Sequence, residues 1–171
     1  MPTIQRGDIQ IATVGWLQDV PWQVFATLSF SSPRIRFETA HSKFHETLNI
    51  VAHSIGTRVG AIYAAGTRSK SGAIVPLHFH AAIVALKPIA YQMVAGAWAG
   101  GSLRTSSIRE LARVERYDPA RAGVEYITKQ AADTGCEWGL RDVEFFSPTL
   151  PKPHMGERAA RRWQAELNRR P

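Results

Sequence analysis

Two short stretches carry side chains whose types and spacing can do chemistry. The first is "VPLHFHAAIVAL", Val75 to Leu86, where His78 and His80 stand one residue apart in an otherwise apolar, strand-like run. Side chains alternate between the faces of a strand, so both imidazoles project to one side while Leu77 and Phe79 face the other. Neutral imidazole nitrogens placed in this way are two ligands for a divalent transition metal, and a third from elsewhere completes an open site. The second stretch is "GVEYITKQ", Gly123 to Gln130. Positions i, i+3 and i+4 of a helix share a face, which groups Tyr126, Lys129 and Gln130. A tyrosine hydroxyl can serve as a covalent nucleophile, a lysine can lower its pKa or neutralise a phosphate, and an amide oxygen can meet a cation. The plainer alternatives are a half-exposed polar strand face and an amphipathic helix with Tyr126 half-buried and Lys129 solvated.

The flanking sequence has to position these groups. "WQVFATLSF", Trp22 to Phe30, is β-branched and aromatic and ends at the Ser31 to Pro33 turn signal, which predicts a strand. From Thr39 to Ile55, Ala40, Phe44, Leu48, Val51 and Ile55 recur at helical spacing, with Gly56 as the stop. Arg58 to Ala65 reads as a second strand, Thr67 to Gly72 as a polar loop, and Val75 to Leu86 as a third strand. A helix after Pro88 closes at Gly100 and Gly101, and the mixed spacing between Ser102 and Arg116 fits best a strand. Pro119 to Asp133 reads as a helix, since proline is tolerated in a first turn, and Glu137 to Phe146 as a final strand. Pro148, Pro151 and Pro153 then precede a basic helix from Gly156 to Asn168. Without βαβ alternation, this order predicts an α+β fold: a central antiparallel sheet with helices packed on one face, spanning residues 1–150, followed by a basic helical tail, 151–171.

The 171 residues, 44% of them hydrophobic, suit one compact domain. The formal net charge of +7 favours a polyanionic partner. The stretch from Lys152 to Arg170 alone supplies more than half of that excess. A single cysteine, Cys136, excludes an internal disulfide framework or a cysteine-based zinc site. No apolar run is long enough to span a bilayer, and Met1 to Asp8 lacks the pattern of a secretory signal. The expectation is a soluble, cytoplasmic protein with no membrane partner.

Together with "FATLSF", Phe25 to Phe30, the two motifs resemble those of the His-hydrophobe-His (HUH) endonuclease superfamily, in particular single-tyrosine rolling-circle replication initiators (Rep proteins). That family orders an apolar strand, a His-hydrophobe-His strand and a Tyr-x-x-Lys helix, matched here by Phe25 to Phe30, His78 to His80 and Tyr126 to Lys129. The resemblance covers roughly Trp22 to Phe146. It implies an RRM-like HUH nuclease fold acting on single-stranded or hairpin DNA, with Mn²⁺ or Mg²⁺ held by His78 and His80. It also implies Tyr126 as the nucleophile that forms a 5′-phosphotyrosine link, with Lys129 beside the developing charge. Rep proteins commonly take a third metal ligand from the strand before the histidines, where this chain has Ala64 and Ala65, and alanine cannot ligate. Single-tyrosine transposases of the same superfamily use a glutamine four residues after the tyrosine, so the resemblance points to Gln130 as third ligand. No phosphate-loop motif is present, so unwinding would depend on a helicase partner in trans or on DNA already single-stranded. Besides the transposase, the competing expectation is a non-catalytic nucleic-acid-binding module with a degenerate metal site.

Arg34, Arg36, Arg68 and Lys70 fall in loops or at strand ends, and with Arg161 and Arg162 in the tail they are candidates to follow a DNA backbone. His41 and His45 have i, i+4 spacing that can chelate a metal, with Glu38 as a reserve ligand, but the expectation for both histidines is an exposed surface position. Trp98 and Trp138 can stack on bases, although core packing is the expected role of each.

Overall fold

A computed structural model describes residues 15–30, 35–68, 72–100, 112–132 and 137–147. The elements follow the order expected from the sequence: β1 (Val24–Ser29), α1 (Phe37–Ile55), β2 (Val59–Arg68), β3 (Ile74–Ala85), α2 (Tyr91–Ala99), β4 (Ala112–Arg116), α3 (Gly123–Ala132) and β5 (Glu137–Arg141). The five strands form one sheet in the order β4-β1-β3-β2-β5, and every pair is antiparallel. Within the span expected to be a strand between Ser102 and Arg116, β4 occupies the end, and the rest lies outside the described residues, as does the whole of 151–171. Among the described residues no helix is long and apolar enough to cross a membrane.

Each strand turns its apolar positions to one face or the other with period two. Val24, Ala26 and Leu28 of β1 join Ala61, Tyr63, Ala65, Phe79, Ala81 and Ile83 on the face covered by α1 and α2. The stripe Ala40, Phe44, Leu48 and Val51 seats α1 there, and its core ring Phe44 stacks on Phe79 with centroids 4.8 Å apart. Gly56 ends α1 in the left-handed region at φ 65°, and Thr57 N–H reaches back to the Ala52 carbonyl, closing a Schellman turn.

The other face is covered too, which corrects the expectation of helices on one side only. Ile62, Ala64, Ala82 and Val84 pack there against Val124 and Ile127 of α3, Leu17 from the helical turn at 15–17, and Val143, Phe145 and Phe146. The physical reason is visible in β2 and β3. As inner strands, they run apolar on both faces, so each face needs a cover.

Two element boundaries also depart from expectation. Residues 119–121 form a 3-10 turn capped by Asp118, whose Oδ1 accepts from Ala120 N–H at 3.0 Å, and Ala122 at φ 50° breaks the path before α3 begins. The last strand stops at Arg141. Asp142 at φ 53° turns the chain into a 3-10 turn, Val143–Phe145, that carries Val143 and Phe145 into the core.

Candidate active site

β3 is the middle strand, and His78 and His80 project from it on the α3 side, their ring centroids 4.9 Å apart and nearly perpendicular. On one flank, Ser29 and Thr27 of β1 stand opposite His78 and His80; on the other, Gly66 and Ala64 of β2 do so. Thr27 Oγ1 lies 3.0 Å from His80 Nδ1, and the His80 ring stacks on Phe25 at 6.2 Å. His78 Nδ1 lies 3.1 Å from the Pro76 carbonyl oxygen. A carbonyl can only accept, so the Nδ1 proton is fixed there, and in the neutral ring Nε2 keeps the lone pair a metal needs.

α3 comes close to the sheet because its first residue is glycine. A Cβ at Gly123 would meet the Phe25 ring at 2.9 Å and the Tyr117 ring at 3.1 Å. With Val124 and Ile127 buried beneath it, the helix presents half-buried Tyr126 over His80, ring centroids 5.1 Å apart in an edge-on contact. Gln130 Nε2 donates to Tyr126 Oη at 2.8 Å. Lys129 is exposed, so it is Gln130 that reaches the phenol.

The geometry therefore brings His78, His80, Tyr126 and Gln130 to one face. Of the two alanines expected beside the histidines, Ala64 flanks His80, whereas Ala65 belongs to the opposite core, and the second neighbour is Gly66. Neither Ala64 nor Gly66 can ligate. Among the described residues no three His, Cys, Asp or Glu side chains converge on one point. The side chains at this face that could serve a cation are the two imidazoles and the Gln130 amide, whose nitrogen donates to the phenol. A mixed nitrogen and oxygen set of this kind fits a divalent ion.

Beside Tyr126 and His80 opens a cavity of about 420 Å³, lined also by Phe25, Thr27, Arg113 and Arg121. Glu115 bridges the two arginines, at 3.3 Å from Arg113 and 3.1 Å from Arg121. Sequence reasoning missed Thr27, Arg113 and Arg121. The register of β1 against β3 and β4, which aligns Thr27 with both His80 and Arg113, is the signal that unites the first two with the site.

The other candidates separate. Arg36 is exposed at the start of α1, the helix on the far face, and exposed Arg68 donates to the Gly72 carbonyl at 3.1 Å within the β2–β3 connection. Arg34, Lys70, Arg161 and Arg162 lie outside the described residues. Trp98 is buried, donating to the Ser29 carbonyl at 3.1 Å. Trp138 overturns the expectation of core packing: it sits on edge strand β5, is 45% exposed, and is opposite Ala64 in the row that contains His80. His41 and His45 overturn the expectation of surface histidines, because both are half-buried against Tyr63, while Glu38 is exposed. Burial first, then the neighbouring His41 and Arg141, pushes the His45 pKa down; burial and Glu137 push the Tyr63 phenol up, against a smaller pull from Arg141.

No protein-family model, curated protein or solved structure matches this chain.

Proposed function

We propose that this protein is a metal-dependent enzyme that nicks and joins single-stranded DNA through a 5′-phosphotyrosine intermediate on Tyr126. The observation that carries this reading is the Tyr126 phenol held against His80 while the Gln130 amide donates to its oxygen. The phenolate is the form that attacks, and the Gln130 N–H supplies its oxygen with a hydrogen-bond donor. In the reaction, Tyr126 Oη bonds to the scissile phosphorus and the phenol proton leaves to solvent. The bond from phosphorus to the 3′-oxygen breaks, and that oxygen takes a proton to become a free 3′-hydroxyl. Because the phosphotyrosine retains the energy of the cleaved ester, attack by a 3′-hydroxyl reverses the step without ATP. A divalent ion on His78, His80 and the Gln130 oxygen supplies Lewis-acid polarisation of the phosphate when bound.

The remaining residues serve binding and orientation. Lys129, one turn after Tyr126 and exposed, offers a counter-charge to the phosphate. Arg113 and Arg121 rim the adjoining cavity, where flanking phosphates would lie. Trp138 offers an exposed stacking surface for a base. The basic tail, 151–171, adds sequence-independent attraction to DNA, and the substrate is DNA already single-stranded or opened by a helicase in trans. Gln130 in contact with the tyrosine favours a second reading, a single-tyrosine transposase with the same chemistry.

The test is incubation with Mn²⁺ and 5′- and 3′-labelled single-stranded and hairpin oligonucleotides from the protein's own genetic neighbourhood, followed by a denaturing gel. The expected result is a covalent protein–DNA adduct that is lost in EDTA and in Tyr126→Phe, with DNA binding retained. Intact binding with no adduct on any substrate would leave the nucleic-acid-binding module as the better reading.

A further inference from the structure

Three donor atoms that the nicking reading does not use meet on the other face of the sheet. His41 and His45, one turn apart on α1, bring their Nε2 atoms to 3.2 Å. Tyr63 Oη, rising from β2, lies 2.6 Å from the first and 3.4 Å from the second. Each Nε2 carries either a proton or a lone pair in the ring plane, and the phenol has one proton. At most two of the three contacts can therefore be full hydrogen bonds. A cation at the centre satisfies all three.

The dimensions suit one. Tetrahedral ligands held about 2.0–2.2 Å from a zinc ion stand about 3.3–3.6 Å from one another. Two sides of the triangle are already within about 0.1 Å of that range, and the third opens by about 0.7 Å once a hydrogen bond is no longer shared there. The sheet is also cut away for the phenol: a Cβ at Gly139, the cross-strand neighbour of Tyr63, would lie 2.5 Å from Tyr63 Oη. Arg141 donates to the His45 carbonyl at 3.0 Å and to Asn49 Oδ1, fixing the turn that carries His45, while Asp142 at 3.7 Å offsets its charge. Both histidines remain half-exposed, which gives an ion a way in.

We propose that His41, His45 and Tyr63 form a binding site for a divalent transition ion of the zinc class, clamping α1 to β2 on the face opposite Tyr126. Two imidazole nitrogens and one phenolate are a donor set for such an ion and a poor one for Mg²⁺ or Ca²⁺. On binding, two metal–nitrogen bonds and one metal–oxygen bond form, the Tyr63 O–H bond breaks, and its proton goes to the buffer. Solvent fills the fourth position.

The experiment uses the EDTA-stripped chain of residues 1–171 bearing His78→Ala and His80→Ala, so that zinc bound at those histidines is not scored. Zinc chloride is titrated calorimetrically in two buffers of different ionisation enthalpy, alongside thermal melts and Co²⁺ absorption. The expected result is one equivalent of zinc, about one proton released per ion, a raised Tm and the visible bands of tetrahedral Co²⁺. Tyr63→Phe should abolish the proton release and weaken binding by more than the ~10–100-fold typical of an outer-shell loss, and His45→Ala should weaken it likewise. If the double-alanine protein does not fold, the parent background keeps the test, with Tyr63→Phe lowering the zinc stoichiometry by one. Absence of zinc binding in a folded protein, or binding with unchanged affinity and proton release in Tyr63→Phe, would overturn the site.

Discussion

Replacing Gly139 with alanine should destabilise the protein by more than its position on an edge strand would imply. The new methyl would lie 2.5 Å from Tyr63 Oη and 2.7 Å from Cζ. Carbon atoms rest about 3.5 Å apart at their closest comfortable contact, so the Tyr63 ring must move by about 0.8 Å. It has little freedom to do so. Tyr63 is 5% exposed, the Phe44 ring centroid is 4.7 Å from its own, and His41 Nε2 holds its hydroxyl at 2.6 Å. Over-packing of this kind costs about 1–3 kcal/mol, and loss of the hydroxyl contact adds about 1 kcal/mol. Relief of the glycine entropy cost in a strand returns about 0.5–1 kcal/mol. The net expectation is a loss of about 1–3 kcal/mol in metal-free protein, measured by urea unfolding as a lowered midpoint at constant slope. Tyr63→Phe removes the oxygen nearest the methyl, so the double variant should lose less than the two single losses added together, by about 1 kcal/mol. A Gly139→Ala midpoint equal to the parent's, or strictly additive losses, would refute the close approach of phenol and backbone.

Lys43 is 6% exposed, and its Nζ has no hydrogen-bond partner among the described residues, so Lys43→Met should raise the urea midpoint by an amount corresponding to about 1 kcal/mol; a lower midpoint would mean the ammonium is better served than its surroundings indicate. His45 has a lowered folded pKa, so below the ordinary imidazole value of about 6.5 the unfolded chain binds more protons than the folded one. Metal-free stability should then fall as pH drops below about 6.5, and His45→Gln should flatten that limb of the unfolding profile. Tyr63 has a raised pKa, so stability should fall again as pH rises past about 10, where the unfolded phenol loses its proton first. Trp138→Ala should weaken single-stranded oligonucleotide binding by about 1–3 kcal/mol per stacked base, read by fluorescence anisotropy; an unchanged Kd would remove Trp138 from the interface.

The sequence made the element order legible because period-two and helical spacings in β1, α1 and β3 are local properties of the chain. The same local patterning put His78 with His80 and Tyr126 with Gln130. Ala122 at φ 50° gave no warning, since alanine rarely adopts the left-handed region, and so the break before α3 went unseen. The second helical layer was implied by the two-sided apolar run of β2 but was masked by expecting one wet face. The exposure of Trp138 depends on β5 being an edge, a fact of sheet order. Thr27 beside His80 is a contact between residues 53 positions apart, and Tyr63 beside His41 and His45 depends on how α1 packs across the next element, β2; nothing in their local spacing announces either contact.

The strand order also has a kinetic side. Among the described strands, only β2 and β3 pair with a neighbour in sequence, and the remaining pairings all close long loops. Loop closure delays distant contacts, so the β2–β3 hairpin is the pair favoured to form first during folding. It already carries both His78 and His80. Thr27 arrives from 53 residues away when β1 inserts between β3 and β4, and Tyr126 follows only once α3 docks over that strand. A newly made or partly opened chain thus holds the two histidines together well before the tyrosine can approach them.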